Sequence, residues 1–386
     1  MNNIAYYVSG HTAQGKVNLL LSNIVNIDHV ISIYHPSLFV KTALFKQLIN
    51  MFDTPAEILY SPEGKQYLEG VIFRNESLAF IDETLVTESF VERVTNVNVT
   101  AHIPIIDDEI ERRFHEKIEK LQEKAYENFT LALQIHHDIE QVYIREMDFE
   151  RANEVASNWK EKLILRKNKT STIDSSAVEE NRTKMNRSVR ERQDDKQNRD
   201  QTSSGEKKRK LKRPFVYERF FGTNTPDGVV HNVQNIIAPV EQRIFVKGRA
   251  GTGKSFFMNE LLTTALEKGY TIEKYRCSFD PLSIDMGIIR ELNCCFFDST
   301  APHELFPERE SDTIVDLYEL TVTNGTDEKY ANELKQLQSN YKEKVRAGLR
   351  DLRATRKFRD EKEAHYANIK EEDLSFVLNK LVNSKF

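Results

Sequence analysis

The sequence of 386 residues has few cysteines and no long apolar run. Its three cysteines are Cys277, Cys294 and Cys295, and two of them are adjacent, so we expect no disulfide framework. The same spacing lacks the two separated pairs that a structural zinc site requires. We therefore interpret these cysteines as small buried residues of a protein in a reducing compartment.

Membrane and targeting signals are also missing. No apolar stretch approaches the roughly 20 residues that a helix needs to cross a bilayer, and the N-terminus has no basic segment followed by a hydrophobic core. Positive charge is not in excess, because 55 Lys and Arg residues stand against 60 Asp and Glu residues and give a net charge of −5. We expect a soluble, cytoplasmic protein with no transmembrane segment and no dedicated DNA-binding role.

The sequence contains one glycine-rich stretch that predicts a function, at residues 248–255. It satisfies every fixed position of the phosphate-binding pattern G-x-x-x-x-G-K-[ST]. A β-branched and aromatic run at 243–247 precedes it and a helical apolar pattern begins at Phe256, so the stretch has the strand-to-helix setting that a P-loop requires. The candidate nucleotide-binding residues are Gly248, Arg249, Ala250, Gly251, Thr252, Gly253, Lys254 and Ser255.

Each fixed residue type of this loop suits a triphosphate. Glycines permit a tight turn that exposes backbone N–H groups, and the N-terminus of the following helix favours an anion. Lys254 is expected to reach the β- and γ-phosphates of ATP, and the Ser255 hydroxyl is expected to ligate Mg²⁺. The ordinary structural alternative is a glycine-rich turn with an exposed lysine.

An apolar strand that ends on Asp298 supplies the second site candidate. In the Walker B arrangement such a carboxylate holds Mg²⁺ beside the P-loop hydroxyl, although a turn residue at a strand end would look the same. The next loop contains His303 and Glu304, either of which would serve as a base or a sensor unless it is simply solvated. The loop 278–285, with two carboxylates, is expected at the same rim because α/β sheets bind ligands at the carboxyl ends of their strands.

The chain contains an internal repeat. Residues 29–34 match residues 242–247 at an offset of 213, and later matches follow at 216 and 217, the former relating Asp82 to Asp298. We therefore predict an α/β fold of two tandem P-loop NTPase-like units, each with a mostly parallel sheet flanked by helices.

At the same offset, residues 35–42 occupy the place of the P-loop in the first unit. His35 and Val40 replace its two fixed glycines, and a valine resists the positive φ that such a loop often needs. We interpret the first loop as a degenerate Walker A motif that does not bind a triphosphate. The surviving Lys41 and Thr42 leave an altered phosphate site open.

A long helical arm is predicted at the C-terminal end of each unit. Apolar residues recur every three or four positions over 110–129 and again over 334–352. Glu140 and Glu363 match at an offset of 223, so the arms belong to the duplicated unit. Each arm packs on its own unit, on the other unit, or in an oligomeric coiled coil.

Between the units lies a polar segment at 166–213, with 16 Lys or Arg residues against 8 Asp or Glu residues. It cannot bury enough apolar surface to order itself, so we predict a disordered basic linker. Its basic end has no aromatic residues to stack on bases, so a nucleic-acid partner is not expected. The predicted organisation is a degenerate unit at 1–165, the linker, and an intact unit at 214–386.

These residues resemble a duplicated P-loop family of endospore-forming Gram-positive bacteria, whose members are labelled only as ATPase or nucleotide-kinase-like proteins. The resemblance covers most of both halves and omits the linker. The pieces that carry it are 225–228, 248–255, 277–280, 298–303, Glu140, Tyr143 and 147–149. It implies the same duplicated fold and fixes no substrate. In similar sequences a glycine often stands at the position of Ser299 and the first loop is commonly intact, so this chain departs from the family pattern at both places.

Three functions fit these observations. The first is a Mg²⁺-dependent ATPase or switch that uses only the C-terminal site and passes loop movements to the first half or to a protein partner. Asp298 is followed by Ser299 instead of the glutamate that many such ATPases use to orient water, so hydrolysis is expected to be slow or partner-dependent. The alternatives are a small-molecule or nucleotide kinase and a non-catalytic assembly protein that nucleotide stabilises.

Overall fold

The computed structural model describes residues 3–165, 214–300, 304–369 and 371–383. The segment 166–213, for which the sequence predicts a disordered linker, lies outside these residues. The predicted α/β fold is confirmed, because each half contains a mixed, mainly parallel six-stranded sheet flanked by helices. Over the described ranges, no helix is both long enough and apolar enough to cross a membrane.

The two halves repeat the same order of elements, except that the second half has two additional short helices before its long arm. The first half has β1 (Ile4–Tyr7), β2 (Ser9–Thr12), β3 (Gly15–Asn18), α1 (Leu20–Ile24), β4 (His29–Tyr34), α2 (Leu38–Met51), β5 (Glu57–Tyr60), β6 (Leu68–Phe73), β7 (Leu78–Asp82), β8 (Val94–Asn98), α3 (Asp108–Ile144) and α4 (Phe149–Lys160). The second half has β9 (Val216–Arg219), β10 (Gly222–Thr225), β11 (Gly228–His231), α5 (Val233–Ile237), β12 (Gln242–Lys247), α6 (Lys254–Glu267), β13 (Ile272–Arg276), β14 (Ile284–Ile289), β15 (Cys294–Asp298), β16 (Thr313–Asp316), α7 (Leu317–Thr321), α8 (Thr326–Lys329), α9 (Ala331–Ala364) and α10 (Glu371–Asn383).

The strand order of the two sheets is identical. It is β1-β5-β6-β7-β4-β8 in the first half and β9-β13-β14-β15-β12-β16 in the second, read from the corresponding edge. In the second sheet, β12 pairs in parallel with β15 on one side and with β16 on the other. The strand that leads into the P-loop therefore lies directly beside the strand that ends on Asp298, with no strand between them.

The pairing of residues between neighbouring strands corrects one offset of the internal repeat. Strand β5 pairs with β6 through Leu59 and Gly70, and β13 pairs with β14 through Tyr275 and Met286, so both strands are related by an offset of 216. The offset of 217 that the sequence suggests for this region is wrong by one residue. The offset changes in the loop before these strands, and sequence comparison alone does not locate such a change to the residue. Strand pairing determines it.

A smaller sheet joins the halves. The sequence of residues 9–15 suggests a turn, but β2 and β3 form a hairpin here, and β10 and β11 form its counterpart. The two hairpins pair through β2 and β10, where His11 lies opposite Asn224. The four strands follow the order β11-β10-β2-β3, so this sheet belongs to both halves.

The two long arms pack against each other in antiparallel orientation. Glu111 near the start of α3 pairs with Lys362 near the end of α9 at 2.5 Å. In the middle, Phe129 packs against Gly348, where any larger side chain would collide with the phenylalanine ring. Of the three kinds of packing that the apolar stripes allow, the structure contains the one in which each arm contacts the other half.

Short helices beyond the arms are exchanged between the halves as well. Helix α4, which follows α3, buries Val155 and Ala156 against α6 of the second half. Helix α10, which follows α9, buries Leu378 and Leu381 against α2 of the first half. In each half, the helix that follows the loop is therefore packed against a helix that the other half supplies.

A buried arginine lies where the two six-stranded sheets meet. Arg219 is 2% exposed, and its guanidinium pairs with Glu57 at 3.1 Å and with Glu273 at 3.2 Å. The ring of Tyr6 lies 4.0 Å beneath it. Burial would raise the pKa of Glu57, but Arg219 and the bidentate partner Arg74 outweigh it and lower the pKa to about 2.

Arg219→Met tests this network. Glu57 and Glu273 then lose the cation that they share but keep Arg74 and Arg290, so the cost at neutral pH should be about 1.5–3 kcal/mol. In the wild type, the depressed pKa of Glu57 contributes stability above its unfolded value near about 4.3 and loses it as pH falls toward about 2. In the variant the carboxylates protonate more readily, so the deficit in thermal midpoint should shrink as pH falls from about 7 to about 4.

The control is Arg346→Met on the exposed face of α9, which should melt like the wild type at every pH. A deficit for Arg219→Met that stays constant across the pH range would contradict this assignment.

Candidate functional site

The loop 248–255 has the backbone of a phosphate cradle. Strand β12 ends at Lys247 and α6 begins at Lys254, so the loop leads directly from a sheet edge to a helix N-terminus. Gly251 and Gly253 have φ values of +78° and +81°, which side-chain-bearing residues rarely adopt. Gly251 is also confined by space, because an added Cβ would lie 2.5 Å from the carbonyl oxygen of Glu140.

Three predicted site residues meet at the end of this loop. The Nζ of Lys254 donates hydrogen bonds to the carbonyl oxygens of Gly248 and Arg249 at 3.1 and 2.8 Å, and it lies 3.7 Å from Asp298 Oδ2. The Ser255 hydroxyl, in the first turn of α6, accepts a long hydrogen bond of 3.3 Å from the backbone N–H of Ile284. The lysine is thus folded back on its own loop, within reach of a ligand on the helix N-terminus.

A second carboxylate lies beside Asp298. Burial and the neighbouring charge of Asp298 raise the pKa of Asp285 to about 7. Burial also raises the pKa of Asp298, against the lowering effects of Lys254 and of hydrogen bonds from Thr300. A cation bound beside the two carboxylates would offset the repulsion between their charges, so this pair is expected to attract a cation.

A cavity of about 1130 Å³ opens above the loop. Its walls include the P-loop, the loop 278–285 and the two arms. Residues of the first half line one wall, and they include His136, Glu140 and Met147. The cavity therefore belongs to both halves.

Helix α3 places its last turns against the P-loop. The pKa of His136 is lowered to about 4 by burial and by the charge of Lys254, so the imidazole is neutral near pH 7. Its Nε2 lies 3.6 Å from the carboxylate of Glu140, one turn further along the helix. Burial and Asp280 raise the pKa of Glu140, while His137 and Lys254 oppose the rise.

A polar network fastens the P-loop to the arm. Asp327 accepts a hydrogen bond from the Tyr143 hydroxyl at 2.8 Å and pairs with Arg249 at 3.1 Å. The Arg249 guanidinium also lies 5.0 Å from the ring centre of Tyr318. Arg249 is thus engaged at the rim, which positions the loop relative to α3.

In the first half the corresponding loop is closed. Helix α2 begins at Leu38, which corresponds to Gly251, so the helix starts three positions earlier than α6. Without glycines, the segment that would wrap a phosphate continues the helix instead. Ser37 caps this helix by accepting a hydrogen bond from the N–H of Val40.

A carboxylate occupies the N-terminus of α2. Glu363 at the end of α9 accepts hydrogen bonds from the backbone N–H groups of Leu38 and Phe39 at 2.9 and 3.0 Å and from the Ser37 hydroxyl. A helix N-terminus favours an anion, so this side chain satisfies donors that a phosphate would otherwise meet. The surviving Lys41 is 4% exposed and pairs with Asp82 at 2.5 Å.

The other predicted residues fall into two groups. His303 lies outside the described residues, whereas Glu304 is described and exposed. Two arginines of the second half that could add positive charge for a phosphoryl transfer are paired with carboxylates instead: Arg276 with Glu218, and Arg290 with Glu273.

Sequence analysis missed that the first half contributes to the second site. Glu140 and Glu363 already match as repeated positions. Their match shows that the arms are equivalent, but it does not reveal that each arm ends at the loop of the opposite half. The first loop lacks glycines, and Glu363 of the second arm bonds the helix N-terminus there in place of an anion. A search of the sequence for such a carboxylate would have suggested that each arm reaches the opposite half.

The donor set fits Mg²⁺. Ser255 and Asp298 offer hard oxygen ligands beside the helix N-terminus, and a triphosphate would supply more. Within the described ranges, no group of three or more His, Cys, Asp or Glu side chains could hold a metal ion unaided. Comparisons of the chain with protein-family models, with curated proteins and with solved structures find no match.

Glu363→Ala tests whether this carboxylate substitutes for a bound anion. The N–H donors of Leu38 and Phe39 then lose a charged acceptor, which should cost about 1.5–3 kcal/mol and lower the thermal midpoint by several degrees. Added phosphate or sulfate should recover part of the loss in the variant and much less in the wild type.

The matched control is Glu361→Ala, an exposed residue of the same helix, which should melt like the wild type with and without the anion. A Glu363→Ala protein as stable as the wild type would contradict the assignment.

Proposed function

We propose that this protein binds MgATP at the loop 248–255 of its second half and hydrolyses it, with a first half that binds no triphosphate. The observation that carries the proposal is the meeting of Lys254, Ser255 and Asp298 at a glycine-shaped helix N-terminus inside a large cavity. The resemblance to duplicated P-loop proteins points the same way.

The proposed roles follow from chemistry and position. Lys254 exchanges its bonds to backbone carbonyl oxygens for bonds to phosphate oxygens, and the N–H groups of the loop bind the remaining oxygens. Ser255 and Asp298 hold the Mg²⁺ ion, which when bound neutralises charge on the phosphates. Arg249 stays with Asp327, so it connects loop position to α3.

Asymmetry between the halves supports a single site. Lys41 is already paired with Asp82, and Glu363 already satisfies the N-terminus of α2. A triphosphate there would have to displace both a buried ion pair and a hydrogen-bonded carboxylate. In the second half, Lys254 lies farther from its carboxylate, 3.7 Å from Asp298 against 2.5 Å for Lys41 and Asp82, and within the described residues no side chain caps the N-terminus of α6.

Lys254→Ala should abolish both MgATP binding, measured by calorimetry, and phosphate release. The comparison for the first half is the double change Lys41→Met with Asp82→Asn. It removes both charges together, so that neither is buried alone, and Asn can still accept the hydrogen bonds from Thr84. This variant should bind one ATP per chain and release phosphate at the wild-type rate.

Equal phosphate release by the wild type and by Lys254→Ala would refute the proposal, and so would loss of binding in the first-half variant alone.

The size of the cavity favours a second candidate, a kinase. At about 1130 Å³ the cavity is somewhat larger than the roughly 300–1000 Å³ of ordinary small-molecule pockets. Its far wall includes Gln338 and Tyr341 of α9, beyond the P-loop, which leaves space for an acceptor. A kinase would release little phosphate from ATP alone and would label an acceptor in a metabolite or nucleotide screen. A non-catalytic assembly protein would gain thermal stability when ATP is added, but it would neither release phosphate nor label an acceptor.

As part of the same proposal we place the protein in the cytoplasm. All three cysteines are described and none forms a disulfide, as expected for a reducing compartment that also supplies ATP.

A further inference from the structure

ATP hydrolysis needs a group that accepts a proton from the attacking water. The residue after Asp298 does not provide it, because Ser299 is 1% exposed and its hydroxyl donates a hydrogen bond to the Leu305 carbonyl oxygen at 2.6 Å. If the second half hydrolyses ATP, the proton acceptor has to come from elsewhere in the cavity.

Most carboxylates of the cavity are already engaged. Asp280 accepts hydrogen bonds from the Ser283 hydroxyl and the Leu282 N–H. Asp327 bonds Tyr143 and Arg249 at the rim. Asp285 is 8% exposed beside Asp298. None of these three is both accessible and uncommitted.

Glu140 differs from them. Its main chain packs on Gly251 at the top of the P-loop, and its side chain is 30% exposed in the cavity. Within the part of the chain that the structure describes, its carboxylate accepts no hydrogen bond, and its nearest cationic or imidazole partner is His136 Nε2 at 3.6 Å. Because His136 is neutral near pH 7, Glu140 has no fixed counter-charge in contact.

The other half shows where this position points. Glu363, which corresponds to Glu140, reaches the N-terminus of α2 and bonds its N–H groups directly. In the second half, the helix starts three positions later, and the cavity is lined both by the P-loop and by Glu140 of the arm. The equivalent carboxylate therefore faces the outer side of the phosphate site, where water would attack.

We propose that Glu140, carried by the arm of the first half, is the proton acceptor for ATP hydrolysis in the second half. Water attacks the γ-phosphorus, the new O–P bond forms, and the bond from phosphorus to the bridging oxygen of ADP breaks with its electron pair passing to ADP. The water proton passes to the Glu140 carboxylate and then to solvent, leaving ADP and inorganic phosphate.

The surroundings of Glu140 agree with that role. The titratable groups that act on it are His136 and His137 from its own helix, Asp280 from the loop 278–285, and Lys254 from the P-loop. Burial and Asp280 raise its pKa, which makes the carboxylate a better base than a solvated glutamate.

The inference rests on the proposed ATPase activity, and Glu140→Gln in the full chain tests it. The amide keeps the size of the side chain but cannot accept the proton. We expect MgATP affinity within about threefold of the wild type and phosphate release reduced by about 100-fold or more. The matched control is Glu127→Gln, an exposed residue of the same helix, which should bind and hydrolyse ATP like the wild type.

Two outcomes overturn the inference and they are distinguishable. If the wild type hydrolyses ATP and Glu140→Gln does so within about twofold of its rate, Glu140 is not the proton acceptor while the proposed function stands. If the wild type neither binds nor hydrolyses ATP, the proposed function fails and the inference fails with it. Equal thermal midpoints for wild type and Glu140→Gln exclude unfolding as the cause of lost turnover.

Discussion

The antiparallel contact between α3 and α9 brings the end of each helix to the loop of the opposite half. Glu140 reaches the intact P-loop through α3, and Glu363 reaches the closed loop through α9. Phe129 and Gly348 set the closeness of the two helices at their crossing. Each loop therefore contacts a residue that the other half supplies.

In the first half, protein groups occupy the positions that correspond to the proposed ligand site of the second half. The carboxylate of Glu363 takes the position of an anion, and Asp82 neutralises Lys41 directly. Such substitutes are physically required, since a buried lysine or an uncapped helix N-terminus would carry unsatisfied charge and donors. The first loop thus lacks the glycines of the second, and its lysine and its helix N-terminus both have internal partners.

Sequence alone predicted the α/β fold and placed Lys254, Ser255 and Asp298 together, because these features depend on local patterns. Strands β8 and β16 were not predicted, since β8, for example, is largely exposed and polar at the sheet edge. The packing partner of each arm could not be predicted either, because an apolar stripe indicates that a helix packs against something but does not identify the surface. Asp285 was predicted as one of two carboxylates of a loop at the rim, but it lies on β14 and is buried. Its burial could not be predicted, because a carboxylate in a strand looks like a solvent-facing residue until its neighbours are known.

The exchange of α4 and α10 means that the two sequence halves are not modular. A chain shortened to residues 214–386 would keep the entire glycine loop, yet it would lose Val155 and Ala156 from the surface of α6 and leave that apolar face open to water. It would also lack a residue to cover the top of Gly251. The first half, whose own loop is closed, thus supplies one wall of the cavity above the loop 248–255. Removing that half would remove the wall and open the cavity to water.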